Sequence, residues 1–162
     1  MTEAYIALGS NLGDRRQTLD NAVRAIDALR SILVIARSSL IETDPVGPIE
    51  QGKYLNGVIR IETDLTAREL LSELLRIEAS LGRDRSSAER WGPRTVDLDL
   101  LIFGDAQIDE PGLRVPHPRI AERRFVLEPL YEISPNLIVP GIDRSVRELL
   151  AEMKGEENPA CS

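Results

Sequence analysis

The chain has 162 residues, a formal net charge of −7 and a single cysteine, Cys161. This length favours a single domain over residues 1–162, of which we expect 155–162 to form a flexible tail. One cysteine excludes an intrachain disulfide, and no run approaches the ~20 apolar residues of a membrane span, so we expect a cytoplasmic protein without a membrane partner. The acidic charge disfavours general nucleic-acid binding, and we expect a monomer.

The hydrophobic pattern of the first half of the chain predicts four elements. Residues 4–10 form a short apolar run that ends in turn residues, which indicates a buried strand. Apolar residues three and four positions apart from Leu19 to Leu29 indicate an amphipathic helix. Residues 32–41 and 54–61 are rich in β-branched and apolar residues and are predicted to be two strands, with a proline-containing break between them.

The second half of the chain predicts a helix, a strand and a C-terminal appendix. Thr66 and Glu69 have the spacing of a capping box, so a helix should begin there, and Gly82 can end it. A strand over residues 95–103, a hairpin over 107–115 and helices over 124–133 and 146–153 follow. The order is that of the ferredoxin-like plan. The predicted class is therefore α+β, with helices on one face of an antiparallel βαββαβ sheet.

Two aspartates on the predicted fourth strand form the best local signal for chemistry. Because alternate side chains of a strand share a face, Asp97 and Asp99 should point the same way as Thr95, with Cα atoms roughly 6.7 Å apart. The side chains expected to face the core are those of Val96, Leu98, Leu100 and Ile102. Two such carboxylates can bind Mg²⁺ together with phosphates and waters. A half-exposed strand with an acidic polar face would show the same pattern.

Two arginine clusters stand out in this acidic chain. Four arginines lie in residues 83–94 and four more in residues 114–124. Guanidinium groups bind phosphate oxygens in bidentate fashion, so the clusters suit a compact polyanion. Two solvated surface segments would show the same pattern in the sequence. Trp91 could stack on a heterocycle or cover a sheet edge, and His117, the only histidine, could donate to a phosphate or have a structural role.

One apparent phosphate-binding motif is rejected. Residues 47–53 read GPIEQGK and fit the pattern G-x-x-x-x-G-K. A P-loop continues with Ser or Thr and leads into a helix, whereas here Tyr54 follows and a strand is predicted next. Pro48 also interrupts the loop.

Several segments together resemble one enzyme family, the 6-hydroxymethyl-7,8-dihydropterin pyrophosphokinases (2-amino-4-hydroxy-6-hydroxymethyldihydropteridine diphosphokinases). The segments are AYIALGSNLGD at residues 4–14, YLN at 54–56, ERWGPRTVDLD at 89–99, VPHPR at 115–119 and RRFVLEPL at 123–130. The string at 89–99 is highly specific. The resemblance runs in the right order from about residue 4 to residue 141.

The resemblance implies that the protein transfers diphosphate from ATP to the hydroxymethyl group of 6-hydroxymethyl-7,8-dihydropterin, releasing AMP, in folate biosynthesis. It implies two Mg²⁺ ions on Asp97 and Asp99, and catalytic roles for these residues and for Arg83 and Arg94. The ATP-binding residues that it implies are Arg85, Arg90, Trp91, Leu100, His117 and Arg123. The pterin-binding residues that it implies are Thr43, Val46, Tyr54, Asn56, Trp91 and Phe125, with Tyr54 and Phe125 sandwiching the ring.

Two other functions remain compatible with the residues taken alone. One is a Mg²⁺-dependent phosphoryl or nucleotidyl transferase with another acceptor, which would use the same aspartates and, for phosphoryl transfer, release ADP. The other is a ferredoxin-like module that binds a nucleotide or RNA without turnover. An RNA-binding sheet needs exposed aromatic and basic residues, and here two acids occupy the key strand.

Overall fold

The helices and strands follow the predicted order closely. The computed structural model describes residues 1–11, 14–43, 54–82 and 96–156. The elements are β1 (Thr2–Ser10), α1 (Arg15–Asp27), β2 (Ile32–Arg37), β3 (Ile41–Thr43), β4 (Tyr54–Thr63), α2 (Ala67–Gly82), β5 (Val96–Phe103), β6 (Ile108–Glu110), β7 (Leu113–Val115), a 3₁₀ turn (Ile120–Glu122), α3 (Arg124–Ile133), β8 (Ile138–Val139), β9 (Arg144–Ser145) and α4 (Val146–Glu156).

The main sheet has the topology expected of a ferredoxin-like fold. Its strands lie in the order β2–β4–β1–β5, and β3 also pairs with β4. All of these pairs are antiparallel. The hairpins β6–β7 and β8–β9 are separate two-stranded sheets. The predicted α+β class and βαββαβ order are therefore confirmed.

Local sequence signals explain where the first two helices begin. The Asp14 side chain accepts a hydrogen bond from the Gln17 N–H at 3.1 Å and so caps α1. The capping box before α2 is formed as predicted: the Glu69 carboxylate accepts from the Thr66 N–H at 2.9 Å, and the Thr66 hydroxyl accepts from the Glu69 N–H at 3.1 Å. In each case a side chain satisfies a backbone donor that the helix itself leaves without a partner.

The sheet is covered on both faces, which differs from the prediction of helices on one face. The first core lies between the sheet and α1 and α2, and it includes Ile6, Leu8, Leu19, Ile26, Ile61, Leu70 and Leu74. The second core lies on the other face and joins Tyr5, Val58, Leu101 and Ile102 to Ile120, Leu127, Leu130 and Val146. The predicted C-terminal appendix thus forms a second layer, because the alternate residues of the central strands are apolar on both faces.

The predicted strand over residues 32–41 is two strands. β2 and β3 both pair with β4, and residues 38–40 between them have no strand structure. The Ser38 hydroxyl accepts the Val58 N–H at 2.9 Å in place of a ladder partner. The linker also crosses close over Gly57, where a Cβ would lie 2.7 Å from Leu40 Cδ2. Glycine at this position therefore leaves room for the Leu40 side chain over β4.

A bulge in β5 corrects the predicted direction of one side chain. Opposite β1, the register shifts so that Ile6 faces Leu100 while Tyr5 faces Ile102. Leu100 accordingly lies in the first core, whereas Ile102 lies in the second, on the face predicted for the aspartates. The extra residue, Leu101, interrupts the strict alternation that the prediction assumed.

The C-terminal end also differs slightly from expectation. α4 extends to Glu156, three residues beyond the predicted helix over 146–153. Residues 157–162 lie outside the described ranges. Across residues 1–11, 14–43, 54–82 and 96–156, no helix combines the length and the apolar character needed to cross a membrane.

Candidate active site

A cavity of about 550 Å³ opens on the sheet face that carries the second core. Four of the five strands of the main sheet contribute to it, together with the segment that leads into α3. The lining residues are Ala7, Leu8, Gly9, Thr43, Tyr54, Asn56, Gly57, Asp97, Asp99, Leu101, His117, Arg119, Ile120, Arg123, Phe125 and Val126. Eight of the residues predicted from the sequence are in this set, so the fold brings distant parts of the chain to one place.

The two aspartates of β5 both line the cavity, as their alternation predicts. Their partners on β1 are small: Gly9 lies opposite Asp97, and Ala7 lies opposite Asp99. Small neighbours leave the space above the strand open, so the carboxylates face the cavity instead of packing against β1. The Glu78 carboxylate of α2 lies close to both, and it accepts the Leu98 N–H at 2.6 Å.

The donor chemistry of this pair fits a hard divalent cation. Carboxylate oxygens are the ligands that Mg²⁺ prefers, and one or two carboxylates with phosphates and waters suffice for it. Among the described residues no group of three or more His, Cys, Asp or Glu side chains could hold a metal ion. Any cation here would therefore depend on oxygen ligands from the substrate as well as from Asp97 and Asp99.

A second part of the cavity is built by β3 and the start of β4. The pairing of Thr43 with Tyr54, and of Ile41 with Asn56, brings the predicted pterin-binding residues of both strands together. Asn56 is buried, and its Nδ2 donates to Thr43 Oγ1 at 2.7 Å. A Cβ at Gly9 would lie only 3.1 Å from Asn56 Oδ1, so glycine at this position leaves room for the amide.

Phe125 and Arg123 enter the cavity from the N-terminal end of α3. The Arg123 guanidinium carbon lies 5.6 Å from the centroid of the Phe125 ring, within the range of a cation–π contact. The ring is partly buried against the second core. This part of the cavity therefore combines an aromatic face with a positive charge.

His117 is held in one tautomer by its neighbours. Its backbone N–H donates to the Leu101 carbonyl of β5 at 2.8 Å, which ties this segment to the sheet. Its Nδ1 accepts the Arg119 N–H at 3.1 Å, so the proton of the neutral ring resides on Nε2. Burial lowers the pKa of His117, Asp99 raises it, and Arg123, Arg119 and Arg114 lower it further, with a net decrease below 6.5. At neutral pH the ring is therefore an uncharged donor.

This lowered pKa gives an expected pH dependence of folding. Above pH 6.5 His117 is neutral in both states, whereas below that value the unfolded chain takes up a proton that the folded protein resists. Stability should therefore fall as the pH drops from 6.5 through the folded pKa. His117→Gln should remove this component, because it is the only histidine. The measurement is the melting temperature between pH 7.5 and 5.0; equal slopes in both proteins would contradict the assignment.

Comparison with known proteins identifies the family. The model of the family described as 7,8-dihydro-6-hydroxymethylpterin-pyrophosphokinase (HPPK) matches residues 5–135. The chain belongs to the HPPK family. This confirms the resemblance found in the sequence and makes the chain a member of a family of pterin pyrophosphokinases.

Three bacterial relatives align with this chain over most of their length. A protein of Methylorubrum extorquens is 45% identical over 153 residues, covering 94% of each chain. A protein of Pseudomonas aeruginosa is 44% identical over 147 residues, covering 91% of this chain and 89% of the relative. A protein of Bacillus subtilis is 50% identical over 130 residues, covering 80% of this chain and 77% of the relative. Each of the three is named 2-amino-4-hydroxy-6-hydroxymethyldihydropteridine pyrophosphokinase.

Solved structures share the fold. A crystal structure of Plasmodium falciparum HPPK-DHPS superposes with a TM-score of 0.77 at 15% sequence identity. It covers 98% of this chain, which in turn spans 45% of the length of that chain. At this identity the likeness supports the HPPK fold alone.

Seven of the predicted HPPK site residues are not among those that line the cavity. Leu100 lies on the opposite face from the aspartates, in the first core, and does not line the cavity. The ATP contact predicted for Leu100 stays a prediction, and it would have to use the backbone groups of this residue. The predicted residues that lie outside the described ranges are Val46, Arg83, Arg85, Arg90, Trp91 and Arg94, and the rejected P-loop also lies there. The strand predicted to follow that motif is present as β4, with Tyr54 as its first residue.

The structure adds site residues that sequence reasoning missed. Ala7 and Gly9 line the cavity, and the signal for them was the small residues at alternate positions of β1. Arg119 also lines it, and it belongs to an arginine cluster noted in the sequence, although no role was assigned to it. Leu101 and Ile120 line the cavity from the second core, and no local pattern distinguishes them from other apolar residues.

Proposed function

We propose that this protein transfers the diphosphate of ATP to the hydroxymethyl oxygen of 6-hydroxymethyl-7,8-dihydropterin, releasing AMP, as a step of folate biosynthesis. The observation that carries the proposal is the cavity itself. It joins a carboxylate pair, an aromatic-lined subsite with a buried amide, and cationic and neutral donors around one space. Both substrates of such a reaction have chemically matched surroundings there.

The pterin fits the subsite formed by β3, β4 and the start of α3. Tyr54 and Phe125 supply aromatic faces for the flat ring. The Asn56 amide is oriented by its bond to Thr43, and its carbonyl oxygen is the acceptor that we assign to a pterin N–H group. Because Asn56 is buried, a ligand that lacks this donor would leave a polar group unsatisfied, which favours specificity.

The triphosphate fits the side of the cavity lined by Arg123, Arg119 and His117. Arginine binds phosphate oxygens through a fixed fork of donors, and the neutral His117 adds the Nε2–H donor. In the reaction the pterin oxygen bonds to the β-phosphorus, and the bond from that phosphorus to the oxygen bridging to the α-phosphorus breaks, so AMP departs. We assign Asp97 to accept the proton of the attacking hydroxyl.

We also propose a requirement for Mg²⁺, with Asp97 and Asp99 as the protein ligands of two ions. When bound, the cations would neutralise the charge of the diphosphate and align it with the hydroxyl. The side chains contribute by preorganisation, since phosphoryl transfer depends on positioning and charge more than on covalent catalysis. A cytoplasmic location and a monomeric state complete the proposal.

Product analysis tests the reaction directly. The protein is mixed with ATP, Mg²⁺ and 6-hydroxymethyl-7,8-dihydropterin, and the nucleotides are separated by chromatography. We expect AMP that forms only when the pterin is present, no ADP, and loss of the reaction when EDTA removes the cation. ADP would support another phosphoryl transferase with the same aspartates. No turnover by folded protein would support a binding module.

A further inference from the structure

The outer edge of β5 has an unusual partner. In the ranges that the structure describes, β5 pairs only with β1, so the donors on its other side point away from the sheet. One of these donors is the N–H of Leu98, the residue between Asp97 and Asp99. This N–H donates to Oε2 of Glu78 at 2.6 Å. This distance is short for an N–H···O hydrogen bond.

Glu78 reaches the strand from the helix that covers its core face. It lies in the last two turns of α2, and the Leu98 side chain packs in the core between that helix and the sheet. The same residue of β5 is thus held by its side chain in the core and by its backbone at the edge. The edge bond fixes the peptide units from which both aspartates project.

The position is electrostatically unfavourable for an acid. Glu78 is half-buried, and its pKa is raised, mainly because burial removes water from the carboxylate. The hydrogen bond from Leu98 lowers the pKa, and the nearby charges of Asp97 and Asp99 raise it. Placing a third acid here costs stability, so the bond to the strand has to offset that cost. Glu78 is also not a third ligand by geometry, because no group of three acids able to hold a metal exists in the described part of the chain.

We propose that Glu78 is a positioning residue for the Asp97–Asp99 pair, holding the edge of β5 so that both carboxylates face the cavity. The inference rests on the proposed function in one respect, namely that the pair binds a divalent cation. Binding groups must be held to within about 0.5 Å of their working geometry, and within the described ranges no second strand pairs with this edge of β5 to hold it. Residues that orient metal ligands typically matter by about 10- to 100-fold in affinity.

Two substitutions separate the effect of the length of the Glu78 side chain from the effect of its charge. Glu78→Asp keeps the charge but is one methylene shorter, so its oxygen cannot stay 2.6 Å from the Leu98 nitrogen without a shift. Glu78→Gln keeps the length and a carbonyl acceptor but is neutral. Glu73 lies on the same helix and forms a surface ion pair with Arg76, so Glu73→Asp and Glu73→Gln are the matched controls.

Two readouts are measured on each folded variant. The first is the amide proton shift and hydrogen exchange of Leu98 by NMR, without nucleotide or metal. The second is Mn²⁺ affinity by electron paramagnetic resonance, in the presence of α,β-methylene-ATP, which cannot be cleaved. We expect Glu78→Asp to weaken protection of Leu98 and to lower Mn²⁺ affinity about 10-fold. Glu78→Gln and both Glu73 controls should resemble the unaltered protein in both readouts.

The opposite pattern would overturn the proposal. If Glu78→Gln loses Mn²⁺ affinity while Glu78→Asp keeps it, the charge of Glu78 matters and its bond to Leu98 does not. Unchanged Leu98 protection and Mn²⁺ affinity in Glu78→Asp would also overturn it. Asp97→Asn separates this failure from that of the proposed function: if that variant binds Mn²⁺ normally, the metal assignment fails, and with it the role of Glu78.

Discussion

Asp97→Ala is expected to reduce turnover by about 1,000-fold or more. The carboxylate lines the cavity opposite Gly9, and its loss would remove one of two anionic groups available to bind a cation beside the phosphates. Little stability should be lost, because Asp97 is exposed and its neighbours Val96 and Leu98 supply the core contacts of this part of β5. The measurement is pterin-dependent AMP formation at saturating substrates, with circular dichroism and melting temperature as checks of folding.

Two matched variants test whether the effect of Asp97→Ala comes from the loss of its charge at this position. Asp97→Asn keeps the size of the side chain and removes its charge, so it should lose nearly as much activity as the alanine variant. Asp105→Ala removes an exposed acid just beyond the other end of β5, outside the cavity, and should leave turnover unchanged. Turnover of Asp97→Ala within a few-fold of the unaltered protein would exclude this aspartate from the reaction.

Phe125→Ala is expected to weaken pterin binding by roughly 5- to 150-fold, which corresponds to about 1–3 kcal/mol for the loss of an aromatic stacking partner. ATP binding should change by no more than about fivefold. Arg123 loses its cation–π contact with the ring, worth about 0.5–1 kcal/mol at an exposed site, but keeps its charge for the phosphates. Titration calorimetry with each substrate separately gives both affinities.

The same helix offers a control for this aromatic residue. Tyr131 lies on α3 but outside the active-site cavity, and Tyr131→Ala removes a partly exposed ring without touching either substrate region. It should leave both affinities unchanged. If Phe125→Ala weakens ATP and pterin binding equally, Phe125 supports the whole cavity, and the pterin sandwich with Tyr54 is not its role.

Local patterns predicted most of the elements well. The helix over residues 124–133 has the predicted bounds, and the capping box at Thr66 and Glu69 starts α2 as expected. The shared face of Asp97 and Asp99 also follows from strand alternation alone. These features depend on residues within a few positions of one another, so a single sequence contains the information that determines them.

Other features depend on contacts between distant segments. Residues 32–41 read as one strand, yet they form two strands that pair with different parts of β4, which brings Thr43 beside Tyr54. The bulge at Leu101 moves Ile102 to the second core, and no local signal marks it. Leu100, by contrast, follows the predicted alternation and lies in the first core.

By itself the sequence determined the family, the order of the elements and the carboxylate pair, because periodicity, caps and motif strings are properties of neighbouring residues. Only the tertiary structure decided that α3 and α4 cover the second face of the sheet, and that this layer carries Phe125 and Arg123 to the cavity. It likewise decided that Glu78 holds the backbone between the two aspartates. Both outcomes arise from burial and pairing between segments far apart in the chain, which no local pattern encodes.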